Sequence, residues 1–193
     1  MNRTQVRGLG RPGGRAQLTW PGGRAGVAIR QARADDVSAL GDFFAGLSTR
    51  TRYLRFFCPL TPRADLLRTL SGVPDNVDAL VAVRGAAIVG HAIAVDRTEA
   101  NDMTVTDIGL VVNDAWQGQG VGSALMRALV SGAQTRGVTT LEMDVLGINY
   151  RVVAMITGHW PAACVDRTSD GLYIRVRLPK AAPRAIAPQV AMG

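Results

Sequence analysis

Cysteine and histidine are both scarce, with two of each in 193 residues. Cys58 and Cys164 lie far apart, and neither has a Cys or His partner at the short spacing of a metal site, so no metal is expected. The same scarcity argues against a disulfide scaffold, and the pair reads as reduced thiols of a cytoplasmic protein. Long apolar runs are missing too. None approaches the roughly 18 residues that a bilayer span requires. No apolar stretch follows the arginines of the opening MNRTQVRGLGRPGGR, so neither a membrane segment nor a secretory signal is expected.

Acidic residues are absent from both ends. Residues 1–26 contain Arg3, Arg7, Arg11, Arg15 and Arg24, and residues 180–193 add Lys180 and Arg184, with no acid in either stretch. Of the 22 basic residues, 15 remain between 27 and 179, against all 15 acidic ones. The net charge of +7 therefore belongs to the ends. They read as a disordered basic tail (1–26) and a flexible tail (180–193) flanking a neutral body. A neutral body argues against nucleic acid as a partner, the alternative being a salt-sensitive tether through the arginine tail.

What is present suits one globular domain: 47% apolar and 19% charged residues, over a length that can bury a core. VAIRQA (27–32) reads as a strand and ADDVSALGDFFAGL (34–47) as a helix capped near Asp35 or Asp36. LSTRTRYLRFF (47–57) is a second helical segment, with Tyr53, Leu54, Phe56 and Phe57 apolar and Arg50, Arg52 and Arg55 polar. RADLLRTL (63–70) is a short helix. DALVAVR and AIVGHAIAV form a hairpin about Gly85, and TVTDIGLVV (104–112) is a third strand of that block. A helix from about Gly120 to Arg136 follows, with Val121, Leu125, Leu129 and Ala133 on one face. TTLEMDVL alternates as a strand, NYRVVAMI reads as a short helix, and ACVDRT and LYIRVRL make a last hairpin. The mixed order predicts an α/β (α+β) fold: a mixed, mostly antiparallel central sheet flanked by helices.

The stretch VVNDAWQGQGVGSALMRAL (111–129) carries the chemistry. GQGVGS nearly matches the dinucleotide signature, but Ser123 replaces its last glycine and five residues separate the strand from the first glycine. No lysine is present for a kinase-type loop. The remaining reading is Q-x-x-G-x-G opening a helix, with Gln117, Gly120 and Gly122. Backbone N–H groups from Gly118 to Ser123 would point at a pyrophosphate, assisted by the helix dipole.

This motif, after LVV and before an apolar helix, resembles the acetyl-CoA-binding motif of the GNAT-type N-acetyltransferases. The element order is similar to that fold from about residue 27 to 178, which makes 27–179 the expected N-acetyltransferase domain. LSTRTRYLRFF, DIGLVVNDAWQGQGVGSALM and LEMDVLGIN resemble parts of the actinobacterial protein lysine acetyltransferases. The resemblance implies a GNAT-like acyl-CoA N-acyltransferase fold with acetyl-CoA as cosubstrate. Leu110, Val111 and Val112 would lend main-chain groups to the pantetheine arm, in a splay between two parallel strands. Gln117, Gly118, Gln119, Gly120, Val121, Gly122 and Ser123 would form the pyrophosphate loop. Asn149 would hydrogen-bond the pantetheine, and it is equally a candidate helix N-cap. The tyrosine that many members carry seven residues after this asparagine, as an acid for the leaving thiolate, is here Ile156.

Transfer to an amine needs a base, because an amine titrating near 10.4 is almost wholly protonated at neutral pH. Asp107 is the candidate, on the strand leading to the loop and on the face of Gly109, whose missing side chain leaves space for an amine. The lysine acetyltransferases it resembles commonly place a glutamate there. The shorter aspartate favours a bridging water, and the alternative is a solvent-facing strand residue. A strand N–H close to Val111 is the expected oxyanion donor. Glu142 and Asp144 read as a solvated strand face, the alternative being a pair that binds an ammonium substrate, and His91 and His159 read as structural or exposed. The acceptor would be a protein lysine or a small amine, transfer would be direct, and a homodimer is compatible with the sequence. The competing reading is a non-catalytic acyl-CoA-binding module.

Overall fold

The computed structural model describes residues 18–19, 26–99 and 104–179. Most of the two tails therefore lies outside the described residues. Leu18–Thr19, within the segment expected to be a disordered tail, forms a short strand (β1) paired antiparallel with β2 (Val27–Gln31).

After β2 come a 3-10 turn at Ala34–Asp36 and three helices, α1 (Val37–Ala45), α2 (Thr49–Phe56) and α3 (Ala64–Leu70). The strands β3 (Val77–Arg84), β4 (Ala87–Thr98) and β5 (Thr104–Val112) follow as an antiparallel meander. α4 (Val121–Thr135) crosses over to β6 (Thr140–Val145), and α5 (Tyr150–His159) leads to the hairpin β7 (Cys164–Arg167) and β8 (Leu172–Arg177). The sheet order is β1-β2-β3-β4-β5-β6-β8-β7. Among the described residues its one parallel pair is β5–β6, and α4 supplies the crossover that parallel neighbours need. The mixed, mostly antiparallel sheet with helices on its faces is as expected.

Two apolar layers hold the helices on. α1 and α3 cover one face through Leu40, Phe43, Phe44, Leu67 and Leu70, packed on Val81, Ile93 and Val111. α4 covers the other through Val121, Leu125 and Leu129, packed on Leu80, Ala92 and Val112. Leu125 and Leu129 are fully buried, each stabilising the fold by roughly 1.5–3 kcal/mol of transfer free energy. The alternation of β5 therefore sends Val111 to one helical layer and Val112 to the other.

The parallel pairing of β5 and β6 is short. It covers Val105↔Thr140, Thr106↔Leu141 and Asp107↔Glu142 and then stops. Beyond it β5 stays with β4, and β6 stays with β8. The two strands diverge as a V whose vertex carries Asp107 and Glu142.

Candidate functional site

Two clefts open along this V. One, of about 670 Å³, runs beside the β5 end and the start of α4, bordered by Leu110, Val112, Gln117, Gly118, Gly120 and Ser123. The other, of about 640 Å³, lies at the vertex and takes in Asp107, Gly109, Glu142, Asp144 and Ile156. They meet at Leu54, Arg55, Leu110, Asn149 and Val152, which border both.

The register of β5 decides which main-chain groups face the first cleft. The Asn113 N–H donates to the Val89 carbonyl at 2.9 Å, and Val111 lies opposite His91. In an antiparallel ladder every second residue turns both backbone groups to the same neighbour. Val111 therefore spends its N–H and C=O on β4, while Leu110 presents both of its groups, and Val112 its N–H, to the cleft. This corrects the expectation that Val111 contributes main-chain groups, and it leaves the oxyanion role to a strand N–H close to Val111, on Leu110 or Val112. The cleft-facing donors are the N–H groups of Leu110 and Val112, since the Asp107↔Glu142 bridge of the parallel ladder takes up the N–H of Ile108.

Gln117 acts as a strut. Its side-chain amide donates to the Val112 carbonyl (3.0 Å) and to the Thr51 hydroxyl (3.3 Å), fastening the loop to β5 and α2. Gln119 donates to the Ala115 carbonyl at 2.8 Å, and Val121 is buried in the core, so both side chains are held away from the cleft. Gly118 (φ 72°) and Gly120 (φ 83°) adopt the left-handed conformation that glycine accepts most cheaply, and Gly120 is the N-cap of α4. The first N–H groups of a helix have no intrahelical acceptor. Here they open onto the cleft at Gly120, Gly122 and Ser123. A Cβ at Gly122 would make ordinary contact with Leu110 at 3.4 Å, so that position is small by preference, not by necessity. Asn149 is the N-cap of α5 by position, but its side chain makes no capping hydrogen bond and borders both clefts.

Asp114 locks α2 against this loop. Its carboxylate accepts from the Ser48 N–H (3.0 Å), the Ser48 hydroxyl (2.7 Å) and the Thr51 hydroxyl (2.7 Å). Burial alone would raise its pKa, but these donors hold it below the usual carboxylate value.

At the vertex, Asp107 is half-exposed and accepts from Arg97 Nε at 3.1 Å. Partial burial raises its pKa, with Glu142 and Asp144 adding to the rise and Arg97 opposing it. Glu142 differs from expectation. It is buried, 1% exposed, and is held by Arg97 Nη2 and by Arg175 Nε at 2.8 Å. Burial would raise it, but the Tyr173 hydroxyl, Arg175 and Arg97 together keep it ionised. It is a buried ion-pair centre, because β8 supplies the Arg175 that an isolated reading of β6 does not contain.

The space expected beside Gly109 is occupied. A Cβ at Gly109 would stand 2.6 Å from Arg55 Cζ. Tyr53 is 40% exposed, whereas Arg55 reaches inward with Nε buried and unpartnered, its guanidinium 4.9 Å from the Phe56 ring. Burial pulls its pKa down to about 10, with no carboxylate to restore it. The apolar and polar residues of TRYLRFF thus trade the places their polarity suggests. Arg50 and Arg151 also border the loop cleft and carry no mark in the motif. His91 is buried and structural and His159 is exposed, both as read from the sequence. Among the described residues no group of three or more His, Cys, Asp or Glu is arranged to hold a metal, and no helix is long and apolar enough to cross a membrane.

The sequence matches the acetyltransferase (GNAT) family model over residues 48–157. That span holds α2, the V and the glycine loop. The chain belongs to the GNAT acetyltransferase family. Acetyltransferase Pat of Mycolicibacterium smegmatis is 36% identical over 104 residues, which are 53% of this chain and 31% of the relative. The match thus spans about a third of that relative's length. The GNAT domain of S. lividans PAT superposes with a TM-score of 0.72 at 23% identity, covering 85% of this chain and 97% of the other. YncA of Salmonella typhimurium, solved with its cofactor acetyl-CoA, gives 0.64 at 17% identity over 83% and 99%. These two share the fold, and the first agrees with the actinobacterial likeness read from the sequence.

Proposed function

We propose that residues 27–179 are an N-acetyltransferase domain that moves an acetyl group directly from acetyl-CoA to a primary amine, on a protein lysine or a small molecule. The observation that carries this reading is the continuity of the two clefts: open amides and two left-handed glycines at one end, a carboxylate at the other. Acetyl-CoA suits the first cleft because its diphosphate needs N–H donors and positive potential, and Gly118–Ser123 with the α4 dipole supply both. Arg50 and Arg151 add charge along that cleft. Leu110 and Val112 would hold the pantetheine amides, with Asn149 beside them. Acetyl-CoA brings an acyl carbon already activated as a thioester.

Asp107 is the base. Its raised pKa makes it a better proton acceptor than an ordinary aspartate. Its short side chain, tied to Arg97, favours a bridging water. The nitrogen lone pair attacks the acyl carbon, the ammonium proton passes through Asp107 to solvent, and a β5 N–H receives the oxyanion. Both cysteines are free and exposed, which suits the reducing cytoplasm.

The test has two stages. Thermal shift with acetyl-CoA reads binding, and CoA release with a panel of amines and lysine peptides reads transfer. Binding with no release on any amine would favour a binding module instead. Asp107→Asn should lower turnover by about 10²–10⁴-fold, and an undiminished rate would remove Asp107 from the role.

A further inference from the structure

Among the described residues at the junction of the clefts, Arg55 is the charged group that no other described residue balances. Desolvating a cation without a counter-charge is costly, and such a group either deprotonates or finds its partner elsewhere. With a pKa near 10 it remains a cation at neutral pH. Glu142 at the vertex is already taken by Arg97 and Arg175, Asp107 by Arg97, and Asp144 and Asp170, which also line the vertex cleft, do nothing to raise the Arg55 pKa. Among the described residues none supplies the counter-charge for Arg55, which leaves that role to the reactants.

The site also lacks an acid. Ile156, at the position where a tyrosine is expected, is buried in the vertex cleft and offers no proton or hydrogen bond. Resting on the acetyltransferase reading above, we infer that Arg55 stabilises the coenzyme A sulfur as a thiolate, in place of a proton-donating acid. A coenzyme A with its diphosphate at Gly118–Ser123 and its acyl end at Asp107 must carry its sulfur through the junction that Arg55 borders. When the tetrahedral intermediate collapses, the C–N bond is kept and the C–S bond breaks. The electron pair goes to sulfur, where the guanidinium receives it as a charge-assisted pair. The thiolate is protonated from solvent after release, so the step balances with no further reactant. The oxyanion keeps its own donors on β5, which leaves the sulfur as the unmet charge.

The thiol of bound coenzyme A reads this directly, without turnover. Thiolate ultraviolet absorbance, followed against pH in the complex of free coenzyme A with the protein, should show the thiol titrating about one pH unit or more below its free value. Arg55→Met should still bind coenzyme A and lose that depression, while Arg55→Lys should keep part of it. With acetyl-CoA, Arg55→Met should lose about 10²–10³-fold in kcat with little change in KM. A wild-type complex whose thiol titrates at the free value overturns the inference, whether or not the variants fold. So does a depression that survives in Arg55→Met. Failure of coenzyme A to bind wild-type protein at all would instead strike the acetyltransferase reading.

Discussion

Arg55 lies over the bare Cα of Gly109, so a helix residue fills the place where the strand has no side chain. A Cβ at 109 would stand 2.6 Å from the guanidinium carbon and 3.2 Å from Nε. Neither α2 nor β5 can change at this contact without moving the charge at the mouth of the vertex cleft.

Gly109→Ala should therefore be nearly silent in stability and loud in rate. The atoms it meets are the end of a flexible side chain, which can swing toward the cleft, so unfolding free energy should change by no more than about 1–2 kcal/mol. Turnover should fall at least tenfold with acetyl-CoA affinity retained. Steady-state kinetics beside a urea melt would check both, and a full-rate variant would show that the position of Arg55 is immaterial.

The pyrophosphate loop makes a separate demand. Gly120 caps α4 at φ 83° with nothing near an added Cβ, so Gly120→Ala pays the left-handed penalty of about 1–2 kcal/mol without a clash. Coenzyme A binding, which needs those amides in place, should weaken by roughly tenfold or more. Calorimetric titration of Gly120→Ala against Gly122→Ala is the comparison, since the second has an ordinary helical φ and should lose less.

Most of this framework was legible in the sequence because it rests on local signals. Helical spacing placed α4, period-two alternation placed β5 and β6, and the glycines marked the turn into the helix. Three features were hidden, and each depends on a partner distant in the chain. Arg55 looked like part of a polar helix face, and only Gly109, 54 residues on, lets it turn inward. Glu142 looked solvated, because Arg97 and Arg175 come from β4 and β8. The direction of the Val111 amide depends on register against β4, which no single strand encodes.

Glu142→Gln tests the buried ion-pair centre. Removing the charge leaves Arg97 and Arg175 facing each other, yet both are about half exposed and can rehydrate. The loss should therefore be about 1–3 kcal/mol, short of the figure for a fully buried pair. Arg97, freed from Glu142, should then bind Asp107 more tightly and lower its pKa. The acid limb of the rate profile should move to lower pH. A melt and a pH–rate profile on one amine measure both, and an unmoved acid limb would uncouple Glu142 from the base.

His91 sets a pH dependence of stability that is independent of catalysis. The ring is fully buried, 5.6 Å from that of Phe44, with Nε2 2.7 Å from the Leu70 carbonyl. A carbonyl only accepts, so Nε2 carries the proton, and Nδ1 is left without a partner. Burial above all pushes the pKa down to about 4; the Leu70 bond works against this, and the charge of Arg55 adds to it. A histidine whose folded pKa lies below its unfolded one is protonated first in the unfolded chain. Its contribution is complete above the ordinary 6.5 and drains away as pH falls toward about 4, a loss on the order of 3 kcal/mol. The depressed carboxylates Asp36, Asp114 and Glu142 also contribute less on acidification, but that loss begins only as pH falls into the ordinary carboxylate range and continues below it. Urea unfolding between about pH 8 and about pH 5 should therefore show a slope that belongs chiefly to His91. His91→Gln, which keeps a donor for Leu70 and cannot take up a proton, should be less stable at the upper end and flat across the window. A slope that persists unchanged in that variant would assign the titration to another group.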